Sequence, residues 1–251
     1  MLPIPRPGRA LAAAAATALL LTAAAAPSAL AARGSLSGSI SPNKGPIGSP
    51  IALSIGAVLD PDTPDRERGT LSQIELFFPP NARTNGARFP YCAPETINAR
   101  RSFSGCPKGS RIGSGSLRAD VPAVPVSDVP GDIVIFNGKG GKSVTINIEA
   151  HNPVEIFEAF PAKLVKTKGR YGYHLTGVIP RSLQEINDGW FAEVRNFKTK
   201  IAATWRGTPY IQSTTLCPKS LSVPIAGKFS FMSRPNGDAP LSVTSTIRCR
   251  R

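Results

Sequence analysis

Short segments rich in hydrophobic and β-branched residues recur along most of the chain, and Gly, Pro, Asn and Asp separate them at short intervals. In the segment 144–149 the alternation is regular: Val144, Ile146 and Ile148 fall on one face, and Thr145, Asn147 and Glu149 on the other. This pattern is typical of an antiparallel strand with one buried face. Segments of this kind predict strands over 51–59, 71–78, 133–136, 144–149, 162–165, 171–179, 197–205, 223–232 and 241–247.

Helical patterns are scarce by comparison. The segment 94–101 predicts one short helix with Pro94 near its start, and 182–186 predicts a further turn. We therefore predict an all-β fold, an antiparallel β-sandwich with the jelly roll as one form of it, and at most one or two short helices. The polar, Gly-rich segment 35–48 is interpreted as a lead-in to the first strand, and 60–69 and 119–131 as long loops.

The N-terminus has the order of a secretory signal peptide. Arg6 and Arg9 precede an uncharged Ala- and Leu-rich stretch over 10–26, which is followed by Pro27 and an Ala-Leu-Ala cleavage pattern at 29–31. A permanent membrane anchor is the alternative, but a spanning helix needs about 20 strongly apolar residues. We predict a cleaved signal peptide over 1–31 and one domain over 32–251, with an internal boundary near 120–131 as the alternative. The predicted location is extracellular or the cell envelope.

The four cysteines agree with export, because an even number in a secreted chain indicates disulfides. Three pairings are open, and closing the nearest loops first would join Cys92 to Cys106 and Cys217 to Cys249. A zinc site of four thiolates is the alternative. It is disfavoured because the spacings lack the close Cys-x2–4-Cys pairs of such sites.

The composition is strongly basic, with 30 Lys and Arg against 16 Asp and Glu and a net charge of +14. Cleavage after position 31 would remove Arg6 and Arg9 and no acidic residue, so the charge belongs to the mature protein. An anionic envelope polymer or lipid headgroups are the partners that this charge suggests. Nucleic acid is disfavoured, because single-strand binders interleave stacking aromatic residues with basic ones, whereas at 7% aromatic we interpret most rings of this chain as core. The candidate contact residues are Lys163, Lys166, Lys168, Arg170, Lys198 and Lys200.

Catalytic and nucleotide-binding motifs receive little support. The segment 136–143 ends in Gly-Lys-Ser but has Phe136 where a phosphate-binding loop needs Gly, and a strand rather than a helix follows it. A Gly-rich hairpin turn is the better interpretation. His151 and His174 could serve a nucleophile, but no Gly-x-Ser-x-Gly elbow is present, so both are interpreted as structural. We predict no catalytic residue and no cofactor.

Four carboxylates lie close together at Asp60, Asp62, Asp65 and Glu67. Clustered carboxylate oxygens suit Ca²⁺, but the segment lacks the central Gly and distal Glu of an EF-hand loop, and Arg66 offsets part of its charge. We interpret it as a solvated, Pro-stiffened turn and predict no metal site.

A set of short motifs resembles a group of secreted, β-rich actinobacterial proteins of unknown function. The motifs are Cys92, the Cys-Pro-x-x-Ser-x-x-Gly-x-Gly segment over 106–115, the strand from Tyr171 to Ile179-Pro180, and the C-terminal Cys217, Phe229-Ser230-Phe231 and Cys249. The resemblance implies export, a β-rich fold and two disulfides. It implies no activity.

The function that these patterns favour is that of a secreted, non-enzymatic binding or structural module with a ligand outside or within the cell envelope. Two alternatives stay open. A hydrolase of envelope polymers would need two convergent carboxylates, or a Ser near His151 or His174. A carrier of lipids or other apolar ligands would need an unfilled cavity inside the sheet.

Overall fold

The structure is a computed structural model that describes residues 34–59, 69–124, 126–232 and 240–250. Its two α-helices are α1 (Pro94–Arg100) and α2 (Arg181–Gln184), and three single 3₁₀ turns lie at Gly86–Arg88, Phe103–Gly105 and Lys139–Gly141. The strands, in chain order, are β1 (Gly34–Ser41), β2 (Ala52–Leu59), β3 (Leu71–Phe78), β4 (Ala82–Thr84), β5 (Arg111–Val121), β6 (Val126–Asn137), β7 (Ser143–Ala150), β8 (Ile156–Lys166), β9 (Tyr173–Val178), β10 (Glu185–Asn187), β11 (Trp190–Phe191), β12 (Glu193–Ile201), β13 (Thr204–Trp205), β14 (Thr208–Pro209), β15 (Ile211–Ser213), β16 (Ser222–Phe231) and β17 (Leu241–Arg248).

Eleven of these strands form one continuous antiparallel sheet in the order β1-β2-β12-β5-β6-β7-β8-β9-β3-β16-β17. Consecutive strands pair as hairpins from β5 through β9, whereas β12 and β3 are inserted from elsewhere in the chain. The short strands pair separately as β10 with β11, β13 with β14, and β15 with β4. The all-β, antiparallel prediction with few short helices is therefore confirmed, and the layers that face each other belong to one sheet.

The two edge strands of this sheet, β1 and β17, lie side by side, so the sheet nearly closes on itself. The close approach of neighbouring strands at this seam depends on Gly38, which has no side chain. A Cβ atom on Gly38 would lie 2.7 Å from both Ile225 Cδ1 and Ile247 Cγ1. Glycine at this position lets the side chains of β16 and β17 reach across to β1.

The inner face of the sheet and part of its outer face each carry a hydrophobic cluster. The inner face carries the main hydrophobic core, which includes Ile55, Leu76, Ile133 and Phe229. On the outer face a second cluster forms where α1 packs on β8, with Ile97 fully buried. Pro94 occupies the first turn of α1, and Arg101 ends the helix in the left-handed conformation.

The predicted strands and the predicted helix at 94–101 are present in the described residues, several with longer bounds, except that the strand predicted over 197–205 ends at Ile201 and Thr204–Trp205 pair separately with β14. Two further expectations were wrong. The segment 35–48 is not only a lead-in, because β1 occupies most of its first half. The segment 119–131 is not a long loop, since β5 and β6 pair directly and the residues between them include a turn over 122–124.

Disulfides join Cys92 to Cys106 and Cys217 to Cys249, so the nearest-loop pairing is confirmed. Cross-links of this kind persist in oxidising compartments, which indicates an extracytoplasmic environment. Within the described ranges, no helix has the length and apolar character that crossing a membrane requires. The predicted signal peptide over 1–31 lies outside the described residues.

Candidate functional site

The inside of the sheet is not completely filled. A cavity of about 300 Å³ lies there, and aliphatic side chains from most of the strands line it. Ile74 on β3, Leu117 on β5, Ile146 on β7 and Leu175 on β9 all face it. A volume of this size is at the lower end of ligand pockets and roughly twice that of an engineered cavity of about 150 Å³ that admits benzene.

The cavity reverses the expected burial of β7. Its faces are those that the sequence predicted, with Ile146 and Ile148 pointing inward. Both are nevertheless only partly buried, whereas the outward Thr145 and Asn147 are 2% and 0% exposed. The outward pair is buried because α1 and its flanking segment cover it, and Thr145 Oγ1 donates a hydrogen bond to Cys92 O at 2.7 Å. The exposed area of the inward pair faces the cavity.

Charged side chains line the cavity at one end. Lys44, Arg83 and Arg250 are the charged residues among the described lining, and all three are exposed. Lys44 lies in the loop from β1 to β2, Arg83 on β4, and Arg250 just after β17. The register of the sheet places these three segments at the same end, which we call the basic end.

The basic end carries many further cations. It comprises the loops that follow β1, β3, β6, β8 and β12, the segment 107–110 before β5, the loop before β16 and residues 249–250 after β17, with the strand residues next to them. Its Lys and Arg side chains are all exposed, and none forms an ion pair with a described residue. They are Lys44, Arg83, Arg88, Lys108, Arg111, Lys139, Lys142, Lys163, Lys166, Lys168, Arg170, Lys200, Arg206, Lys219, Arg248 and Arg250.

The opposite end, which we call the ion-paired end, holds carboxylates and cations together. Arg195 contacts both Asp120, at 3.6 Å, and Asp128, at 3.8 Å. Arg118 contacts Asp128 at 3.5 Å, and Arg181 pairs with Glu185 four residues away. Apart from Glu95 in the first turn of α1, the described carboxylates lie at this end or in the middle of the sheet.

A buried polar network supports the basic end from inside. Asn137, at the end of β6, is fully buried, and its Nδ2 donates to the carbonyls of Gly86, Phe89 and Pro90 at 3.0 to 3.2 Å. Tyr210 Oη donates to Asn137 Oδ1 at 3.2 Å. Burial, with a smaller contribution from Tyr173, raises the pKa of the Tyr210 phenol, so this hydroxyl stays a donor at neutral pH.

The candidate polyanion residues fall into two groups. Lys163, Lys166, Lys168 and Arg170 lie together on the end of β8 and the turn to β9, at the basic end. Lys198 and Lys200 point outward from β12, as the alternation predicted, but β5, β6 and β7 separate β12 from β8. The sequence did not identify Lys44 or Arg83, and it gave Arg250 only as part of the basic segment 248–251. These three residues are distant in the chain and come together only through the closure of the sheet.

The histidines do not form a catalytic relay among the described residues. His174 Nε2 is 2.9 Å from Glu75 Oε2 and also 3.1 Å from Thr176 Oγ1, while its ring stacks on Phe77. Both oxygen atoms contact the same ring nitrogen, whereas a relay needs the nucleophile on one nitrogen and the acid on the other. His151 is exposed beside Glu149 at the ion-paired end.

Of the two remaining motifs, one forms a turn and the other lies outside the described residues. The segment 136–143 is the turn from β6 to β7, with one 3₁₀ turn and Gly140 and Gly141 at positive φ, in agreement with the predicted Gly-rich hairpin. The carboxylate cluster over 60–67 lies outside the described residues. Elsewhere in the described chain, no group of three or more His, Cys, Asp or Glu side chains is placed to hold a metal ion.

Comparison with known proteins gave no match to a family model, to a curated protein or to a solved structure. The resemblance to secreted actinobacterial proteins therefore stays a prediction.

Proposed function

We propose that this is a secreted, non-enzymatic binding protein that holds an apolar or amphiphilic small molecule in the cavity inside its sheet. The observation that carries the proposal is the cavity of about 300 Å³ with mid-sheet aliphatic side chains facing it. Protein interiors are normally packed to crystal density, so side chains that leave such a space forgo dispersion contacts that a ligand could restore.

The charges of the lining suggest how the ligand is oriented. Its apolar part would lie among Ile74, Ile146 and Leu175, and an acidic group would lie near Lys44, Arg83 and Arg250. A fatty acid or a related amphiphile with one anionic group has this chemistry. Export through the predicted signal peptide and two disulfides are consistent with a carrier that works outside the cytoplasm.

The alternative of an envelope-polymer hydrolase has less support. Within the described residues, Nε2 of His174 contacts both Glu75 and Thr176, so the ring does not link a nucleophile to an acid. The charged residues that line the cavity in the described chain are cationic, so this part of the lining offers no pair of carboxylates for glycoside hydrolysis.

The test is a titration with N-phenyl-1-naphthylamine, a neutral apolar dye that fluoresces in apolar surroundings. We expect saturable binding of one equivalent by the protein purified after export and freed of lipid. Ile146→Phe combined with Leu117→Phe should weaken dye binding by about tenfold or more, because the added rings occupy the cavity. Decanoate should displace the dye at lower concentration than methyl decanoate does, because the ester carries no charge for the three cations.

Val178→Phe is the matched control, since Val178 is exposed on β9 and does not line the cavity. It adds one such ring outside the cavity, where the cavity-filling variant adds two inside it, and should leave dye binding unchanged. The cavity-filling variant should unfold at the same or a higher temperature than the wild type, because filled cavities commonly add stability. Absence of saturable dye binding by the delipidated wild type would overturn the proposal.

A further inference from the structure

We infer that the basic end is a docking surface for an anionic lipid bilayer, through which the cavity exchanges its ligand with the membrane. The inference deepens the proposed function and rests on it, because the surface serves as a loading face only if the cavity holds a ligand. It concerns a second, larger partner that touches the outside of the molecule.

The charge of this end is the first argument. All sixteen of its described cations are exposed and none forms an ion pair with a described residue, whereas Arg118, Arg181 and Arg195 at the other end all pair with carboxylates. Unpaired like charges on one surface repel each other and are retained where an anionic partner offsets them. Anionic lipid headgroups attract such a surface over about one Debye length.

Exposed hydrophobic side chains are the second argument. Of the large hydrophobic residues that are exposed in the described chain, Ile47, Tyr91, Leu216 and Leu221 lie in loops of the basic end. Ile47 and Leu216 are 63% and 60% exposed. A surface that combines aliphatic and aromatic side chains with cations matches the boundary between headgroups and acyl chains, where both kinds of group are stabilised.

The position of the cavity is the third argument, and it favours a bilayer over a soluble polyanion. Leu216 is exposed and also lines the cavity, beside the cationic lining residues Lys44 and Arg250. An apolar ligand that enters here from a docked membrane avoids water for most of its path. A soluble polyanion would pair with the cations but would not bury the exposed side chains of Ile47 and Leu216.

The test is cosedimentation of the exported protein with vesicles of phosphatidylcholine alone or with added phosphatidylglycerol. We expect binding only when phosphatidylglycerol is present, and weaker binding as the salt concentration rises. Lys139→Glu, Lys168→Glu and Lys219→Glu together should reduce the partition coefficient by about tenfold or more. Ile47→Ser with Tyr91→Ser should reduce it as well, with little change in salt dependence.

Matched controls have the same change in charge or hydrophobicity elsewhere. Arg100→Glu, Arg101→Glu and Lys198→Glu change the net charge equally on the outer face of the sheet and should retain most of the binding. Val178→Ser is the control for the hydrophobic pair. All variants share the wild-type N-terminus, so any contribution from that segment cancels.

The outcomes separate the two proposals. None of the residues changed at the basic end lines the cavity, so these variants should bind N-phenyl-1-naphthylamine like the wild type. Vesicle binding without dye binding by the wild type would overturn the proposed ligand and leave the docking surface. Equal vesicle binding by the basic-end and control variants, or binding to heparin but not to the anionic vesicles, would overturn the docking surface.

Discussion

The two ends of the sheet are stabilised by different interactions. Each end has to join neighbouring strands and cover the edge of the core. At the ion-paired end, surface charges of opposite sign meet, as Arg195 does with Asp120 and Asp128. At the basic end, cohesion comes from beneath the surface, from the Asn137 network and the Cys217–Cys249 disulfide.

Charged side chains therefore contribute to stability at the ion-paired end but not at the basic end. Exposed ion pairs contribute little, typically 0 to about 1 kcal/mol each. The unpaired cations of the basic end contribute nothing of this kind and repel one another. Their presence is consistent with a surface that is used for binding, and the interior cross-links beneath it maintain its shape without help from the charges.

The largest effect should come from removing the disulfide at the basic end. Cys217→Ser with Cys249→Ser opens a loop of 32 residues, and we expect the free energy of unfolding to fall by about 4 kcal/mol. Dye binding should also weaken, because both cysteines line the cavity. Denaturant unfolding monitored by the two Trp residues measures the first effect, and the dye titration measures the second.

Cys92→Ser with Cys106→Ser is the comparison for that variant. This disulfide closes a loop of 14 residues on the outer face, next to α1, and neither cysteine lines the cavity. We expect a loss of about 3 kcal/mol and unchanged dye affinity in the folded protein. If the two double variants lose dye binding equally, the Cys217–Cys249 disulfide has no special role at the basic end.

An intermediate effect should follow from Asn137→Ala. The change leaves three backbone carbonyls and the Tyr210 hydroxyl without their buried partner, so we expect a loss of about 2 to 3 kcal/mol. Asn187→Ala at the ion-paired end is the matched control. Asn187 is exposed, and its Oδ1 accepts a hydrogen bond from the neighbouring Asp188 amide, so less than about 0.5 kcal/mol should be lost. Similar losses for the two variants would contradict the buried network.

The strands that could be predicted from the sequence are those with strong β-branched and aromatic alternation, such as β3 and β7. The strands β1 and β5 were not predicted, because glycine and serine dominate β1 and fill positions 113–116 of β5. The structure explains this composition for β5: a Cβ atom on Gly115 would lie 2.0 Å from Lys198 O on β12. Such close approach depends on the partner strand, and a single segment carries no signal of it.

The candidate site was predictable only in part. The group from Lys163 to Arg170 is contiguous in the chain, so its clustering could be anticipated, and it does lie at the basic end. The cavity could not be predicted, because Ile146 and Leu175 have the pattern of ordinary core residues until the curvature of the whole sheet is known. The cations at its end are brought together by the pairing of β1 with β2 and of β16 with β17.

The smallest effect should come from Glu185→Gln at the ion-paired end. A hydrogen bond from the Gly189 amide and the contact with Arg181 hold the pKa of this carboxyl below its usual 4.5. A lowered pKa in the folded state means that the charged form adds stability above about pH 4.5, and that this contribution is lost as the pH falls through the lowered value. We expect the variant to unfold at most about 1 °C below the wild type at pH 7, and the difference to shrink as the pH falls below 4.5. Thermal unfolding followed by circular dichroism from neutral to acid pH measures it. A difference that does not shrink over this range would show that Glu185 acts through packing, and the ion-paired end would then resemble the basic end in relying on uncharged contacts.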